Sequence, residues 1–416
     1  MSRGVFFAAA ISIIALFTGC RGPHFGDTQG WSSSQKRDFE SILASDRYAS
    51  LCELKPLYDQ YRSTGNTAIL SRILTGYVRN LANSCVDIDA YKRVEKEKNR
   101  NKIHTHQEFK LSSVSDSRTL SQLRSGYSIE EILTPYIPKN PIFHRLLAAY
   151  RSGDRSRKLR MSLERSKLLD DEGWDNTYFV INVPEFRLRF IDRGQMAMSF
   201  PVITGKRNWQ TPIFSAYMKY VVLNPAWNVP DNIARREEIP KLLKNPNYLK
   251  RKNMVVRRSY DIDSTAVDPS KVDWKKYLGS EYKHKEIPYK LIQKASSRNA
   301  LGKVKFMFPN RYSVYMHDTP RKSLFRHSKR AFSHGCIRLS KPLELLYYLS
   351  DTGYLKKSTE EIKEMLKKGK RRYVNLVNPI PVHVVYMTAY PDNDGSIRQS
   401  ADVYGFDSSM QMKRAR

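Results

Sequence analysis

Cysteine is scarce in this chain, four in 416 residues, so each can be weighed by its own surroundings. Long apolar runs are scarcer still. After the first twenty residues none approaches the roughly 20 residues that cross a bilayer, which excludes a chain threaded repeatedly through a membrane. No internal repeat appears, which excludes a solenoid or propeller. Acidic residues fall well short of basic ones, 41 against 72, leaving a formal net charge of +31. Nucleic acid is the reflex partner for such a surplus. Here, however, the lysines and arginines are spread over the whole chain, and most are read as a solvated face. With 40% hydrophobic residues the chain is long enough for two or three proper cores.

The one long apolar run stands at the N-terminus. Arg3 gives a positive start, residues 5–17 an apolar stretch, and Thr18-Gly19-Cys20 a small-residue cleavage site. Residues 1–20 therefore read as an export signal. Residues 16–20 are similar to a lipobox, in which Cys20 would be acylated and tie the protein to a membrane; plain cleavage or an uncleaved anchor are the alternatives. Export removes the chain from nucleic acid, so a polyanionic envelope surface is the better match for its charge. Residues 21–35 are Gly-, Ser- and Asp-rich and read as a tether. Cys52 and Cys85 are expected to close a disulfide in an exported protein, two separate buried thiols being the alternative.

The periodicity divides the remainder into an α+β chain. Residues 36–170 are helical, with Ile69, Leu70, Ile73, Leu74, Tyr77, Val78 and Leu81 in one stripe. Ser128 to Glu131 matches a capping box, and Asn140-Pro141 starts another helix. Nothing in this part carries chemistry, and it reads as a scaffold. From residue 175 the pattern alternates. Strands are expected at 178–183, 186–190, 197–204, 216–223, 303–308, 312–316, 373–376, 382–390 and 396–404. Residues 233–243 read as a short basic helix. Residues 245–301 are long, polar and without strong periodicity, the mark of a functional cover or a disordered loop. A helix over 343–349 is expected to take Ser340 as its N-cap, and residues 407–416 read as a basic tail.

One stretch organises the rest: Ser333-His334-Gly335-Cys336-Ile337-Arg338, preceded by His317 with fifteen residues, 318–332, between it and Ser333. A cysteine is nucleophilic only as thiolate, and its free pKa of about 8.5 must be lowered or a base supplied. His317 and His334 are both on offer. Gly335, lacking a Cβ, would let a carbonyl approach closely and free local N–H groups for an oxyanion. A buried, inert thiol and a zinc site formed by His317, His334 and Cys336 are the competing readings.

This pattern resembles the signature of the YkuD-type L,D-transpeptidases, in the larger periplasmic subgroup where Arg follows the hydrophobic residue. Residues 224–230, 304–310, 317–320 and 380–386 are similar to further blocks of that subgroup, so the resemblance covers 175–406 with the lid insertion at about 245–301. The resemblance implies a mostly β domain in the periplasm acting on peptidoglycan stem peptides, without cofactor or metal. Cys336 would be the nucleophile and His317 the base, oriented by the carbonyl of Asp318. The N–H groups around Gly335 and Cys336 would hold the oxyanion, with His334 assisting. Arg338, Tyr315 and Trp227 are candidate substrate contacts, Arg338 for a carboxylate. The reaction implied is a crosslink between diaminopimelate residues. Water or a lipoprotein lysine as acceptor, and a noncatalytic wall-binding lipoprotein, remain as alternatives. No protein partner is read from the sequence.

Overall fold

The computed structural model describes residues 30–415 apart from 283, 284 and 393, so the expected export signal, Cys20 and most of the expected tether lie outside the described residues. The tether ends earlier than expected. A helix runs over Ser33–Ser45, and Ser32 and Gln35 form a reciprocal capping box with bonds of 3.1 and 2.8 Å. A serine run that reads as a linker is here the start signal of a helix.

Helices then make up most of the chain to Ser166, interrupted by an extended stretch over 102–115. The stripe on Thr67–Asn83 is their centre, with Leu70, Ile73, Leu74, Tyr77, Val78 and Leu81 fully buried. Their core does not stop at the helices: Trp174, Tyr178, Val180, Val385, Met387 and Ala389 belong to the same cluster. The helical part is therefore packed onto the sheet as one continuous body. Cys52 and Cys85 are joined as a disulfide with Cα atoms 6.1 Å apart. Beside it Glu164, wholly buried, is paired with Arg160 at 3.0 Å and Lys167 at 3.2 Å. Among the described residues no helix is long and apolar enough to cross a membrane.

The strands are β1 (Tyr178–Asn182), β2 (Arg187–Asp192), β3 (Gln195–Gly205), β4 (Phe214–Leu223), β5 (Trp227–Asn228), β6 (Met254–Arg257), β7 (Ala266–Val267), β8 (Lys290–Gln293), β9 (Val304–Met307), β10 (Met316–His317), β11 (Ala331–Ser333), β12 (Ile337–Leu339) and β13 (Arg372–Val385). Nine of them form one sheet in the order β11-β3-β12-β10-β9-β4-β13-β1-β2, and β2 pairs again with β3. Eight strands thus close on themselves, which removes their open edges. Phe179, Phe190, Phe200, Val221, Phe306, Met316 and Ile337 form their core with Leu345, Leu346 and Leu349 of the helix Pro342–Asp351.

Several expectations need correction. The segment expected as a polar cover over 245–301 is a folded unit that begins at β5. It has its own sheet, β5-β8-β6-β7, and its own core built on Val229, Ile239, Leu242, Met254, Trp274, Tyr277 and Leu291. The strand expected over 312–316 shrinks to β10, because the Asn310 side chain ties the main chain of Phe308, Tyr312 and Val314 into a loop. Strands 373–376 and 382–390 are joined as β13, with a register shift between Asn375 and Ile380. Strand 396–404 is reduced to Ile397–Gln399. Ser340 does not cap its helix, whose N-cap position falls on Lys341. The basic tail is docked, since Lys413 Nζ donates to Asn80 Oδ1 at 2.9 Å and to the Ser84 carbonyl at 2.8 Å.

Two stability predictions come from this packing. The disulfide spans 33 residues, for which chain entropy gives roughly 3 to 4 kcal/mol. Reducing it should lower the melting temperature by several degrees, and an unchanged melting curve after confirmed reduction would refute that. The second concerns His383, stacked on Trp174 at 3.7 Å and bonded to Ser215 Oγ and the Gly173 carbonyl. Burial holds its pKa down from 6.5 to about 4, against the raising effect of the Gly173 carbonyl and Asp170. The unfolded chain then binds a proton that the folded chain refuses, so stability is full above pH 6.5 and falls as pH drops toward 4. The loss should be about 3 kcal/mol, read by urea unfolding, and should shrink in His383→Gln.

Candidate active site

The path of the chain around β3 builds the site. After His317 the chain leaves β10, joins β11 to the far side of β3, and returns as β12 between β3 and β10. The turn Ser333 to Cys336 therefore arches over the end of β3 at Gly205. A Cβ on Gly205 would lie 2.1 Å from the Trp209 carbonyl and 2.7 Å from Thr211 N, so only glycine lets the chain after β3 fold back this closely. Thr211 Oγ1 links the two layers, accepting from Gly205 N–H and donating to the Gly335 carbonyl, each at 2.8 Å. Parallel pairing sets Met316 opposite Ile337 and His317 opposite Arg338.

His317 is almost fully buried, and its Nδ1 donates to the Asp318 carbonyl at 2.5 Å. The carbonyl is fixed because the Asp318 carboxylate accepts from Thr319 N–H at 2.6 Å and Lys303 N–H at 2.8 Å, and pairs with Lys322 at 2.7 Å. With Nδ1 committed, Nε2 keeps the lone pair. Burial, then the positive charge of Arg338, push the His317 pKa down to about 3. Burial pushes the Cys336 thiol up, opposed by hydrogen bonds from the Tyr315 main chain and hydroxyl and by Lys305 and Arg338. The pair rests as neutral thiol and neutral imidazole.

Gly335 has φ of 116°, a conformation only glycine takes readily. Its N–H is not free, however: it donates to Ser333 Oγ at 3.1 Å, and Ser333 Oγ donates to the Cys336 carbonyl at 2.6 Å. The expected oxyanion role of the Gly335 N–H is corrected accordingly.

Cys336, His317, His334, Arg338, Tyr315 and Trp227 all line one cleft of about 640 Å³ between the sheet and the folded insertion. Arg338 has a buried Nε without a hydrogen-bond partner, which suits it to an incoming anion. Trp227 also packs on the insertion's own core. The zinc reading loses its geometry: the set of possible ligand atoms that gathers within 4.8 Å among the described residues is Cys52, Cys85 and Glu164, whose sulfurs are bonded to each other. Sequence reasoning missed two residues. Lys305 alternates with the core residues Val304 and Phe306 on β9, so its side chain faces the cleft, 3.8 Å from the centre of the Tyr315 ring. Strand alternation beside a recognised block was the signal for it. Glu237 sits 2.6 Å from His334 Nε2, and nothing in its sequence neighbourhood marks it.

Residues 176–368 match the family model described as the YkuD L,D-transpeptidase catalytic domain. A Haemophilus influenzae protein provisionally named an L,D-transpeptidase is 28% identical over 387 residues, which is 90% of this chain and 74% of that protein. Among solved structures, an L,D-transpeptidase from Mycobacterium smegmatis is 14% identical, with 50% of this chain and 58% of that one covered and a TM-score of 0.23. Another L,D-transpeptidase, solved in complex with imipenem, is 15% identical, covering 51% and 59% with a TM-score of 0.22. The chain thus spans less than two thirds of each of these solved proteins.

Lys305 is the cation whose charge bears most on the thiol. Removing it in Lys305→Gln should raise the thiol pKa and slow alkylation of Cys336 by iodoacetamide about threefold to tenfold at neutral pH. The alkaline limb of the rate should move to higher pH. No step should appear near pH 6.5, because His317 takes a proton only near pH 3. Alkylation as fast as in the parent would show that Lys305 does not act on the thiol.

Proposed function

We propose, for a chain whose residues 176–368 form a catalytic domain of the YkuD L,D-transpeptidase family, that the protein crosslinks peptidoglycan stem peptides through a thioester on Cys336. The observation that carries this reading is a half-buried thiol sharing a cleft with an imidazole whose Nδ1 is tied to a main-chain carbonyl. Sγ attacks the carbonyl joining diaminopimelate to the terminal D-alanine as His317 Nε2 takes its proton. The oxyanion is held by main-chain N–H groups of the 333–336 turn. The same proton goes to the departing amine of D-alanine, leaving the acyl group on sulfur. The side-chain amine of a second stem peptide then attacks, gives a proton to His317, and the proton returns to sulfur as the thioester breaks. Arg338 meets a substrate carboxylate, and Tyr315 and Trp227 line the bound peptide. The insertion covers the cleft and limits access of water to the thioester. Export by residues 1–20 and acylation of Cys20 complete the reading, and a fatty-acid label on the parent that persists in Cys20→Ser would refute the latter.

The deciding experiment incubates purified protein with tetrapeptide muropeptides and weighs the products. Crosslinked dimer is expected, with imipenem forming a mass adduct on the parent. In Cys336→Ala both should fall on the order of a thousandfold or more, with the melting temperature unchanged. Hydrolysed tripeptide as the sole product would make the enzyme an L,D-carboxypeptidase. An adduct on Cys336→Ala protein would remove Cys336 from the mechanism.

A further inference from the structure

The cleft holds a second histidine, and its partner comes from the insertion. His334 Nε2 lies 2.6 Å from Glu237 Oε1, close enough for the ring N–H to donate to the carboxylate. That commitment leaves Nδ1 as the ring atom able to take a proton. Glu237 is delivered by a π-helical turn, Ala234–Glu238, a local irregularity that occurs mostly at functional sites. Two neighbouring glutamates of the turn line the cleft. Glu238 is buried and holds the insertion together, accepting from Tyr248 at 2.7 Å and Lys241 at 3.0 Å. Glu237, half-buried, is the one that reaches His334. Arg236, from the same turn, stacks 4.8 Å over Trp209, whose ring stands edge-on to His334 at 5.4 Å. The other charges near the pair are Lys206, 3.2 Å from His334 Nε2, Lys241, 4.0 Å from Glu237, and Arg338. Burial lowers the His334 pKa in spite of Glu237, so the ring is a neutral base at neutral pH.

Acyl transfer to an amine has a proton that His317 cannot handle. An alkyl amine, with a pKa of about 10.4, arrives as an ammonium and has no lone pair to attack with. One proton must leave before attack and a second during it. His317 takes the second and passes it to sulfur, so the first needs another acceptor.

We propose that His334 and Glu237 form the acceptor site, binding a primary ammonium and removing its first proton. This deepens the acyl-transfer reading and rests on it. The ammonium gives one proton to His334 Nδ1, and Glu237 stabilises the imidazolium that results. The free amine forms the C–N bond to the thioester carbonyl. Its second proton goes to His317 and on to sulfur as the C–S bond breaks, and His334 releases its own proton to water. No oxidant or other co-reactant is required.

The test uses the full chain, a tetrapeptide donor and two kinds of acceptor. One is the stem-peptide amine, an ammonium at neutral pH. The other is hydroxylamine, which is uncharged there and has no first proton to lose. In Glu237→Gln the yield of crosslinked dimer should fall at least about tenfold and recover as pH is raised toward the amine's own pKa. Hydroxamate formation and the imipenem adduct should change less than about threefold. Glu237→Asp, which keeps the charge, should restore part of the crosslinking. Equal losses with both acceptors, or a crosslinking rate equal to the parent's, would overturn the proposal. A parent that forms the imipenem adduct but transfers to neither acceptor would overturn the transfer reading itself.

Discussion

Parallel pairing of two very short strands, β10 and β12, is what the site depends on. Parallel neighbours cannot be joined by a tight turn and need a crossover of about a dozen residues or more. The fifteen residues between His317 and Ser333 are that crossover, which here also lays β11 beside the far edge of β3. The spacing that marks the motif in sequence is therefore a topological necessity. Shortening it would part His317 from Cys336 by preventing the chain from rounding β3. Gly205 and Thr211 belong to the same constraint, since the chain after β3 folds back tightly on Gly205 and sets Thr211 Oγ1 to bridge the Gly205 N–H and the Gly335 carbonyl.

Burial decides the protonation state of the pair. Moving the His317 pKa from 6.5 to about 3 corresponds to about 5 kcal/mol against the imidazolium. A single opposite charge at about 4 Å contributes roughly 4 kcal/mol at an effective dielectric of about 20, which is too little to reverse that on its own. A thiolate–imidazolium pair is thus not the resting form, and proton transfer belongs to the moment of attack.

The pattern of residues revealed what depends on local chemistry. Alternation gave the strands around Phe179 and Leu188, and the capping box at Ser128 matched a helix start. The motif named Cys336 and His317, and both line the cleft. What stayed hidden depends on contacts distant in sequence. Ser333 Oγ claims the Gly335 N–H, a bond that no spacing rule reveals. Glu237 meets a residue 97 positions away. The insertion looked structureless because its strands are two to four residues long, below the length at which alternation registers, and its core residues are scattered along a lysine-rich sequence. Ser340 had the right residue type for a cap, but Lys341 takes the N-cap position one residue later.

The cations around the cleft do not all push in one direction. Lys305 and Arg338 favour the thiolate, and both oppose charge on His317. Moving a proton from sulfur to imidazole carries positive charge across the cleft, so a cation equally near both groups leaves the step unchanged. A cation helps only if it stands closer to sulfur; Lys305 lies against the ring of Tyr315, whose hydroxyl bonds the thiol. Lys322 stands on the histidine side and would oppose the transfer. Asp318 holds Lys322 at 2.7 Å and offsets most of its charge, while its own carbonyl anchors His317 Nδ1. One residue therefore sets the tautomer of the base and pairs the cation that would weaken it.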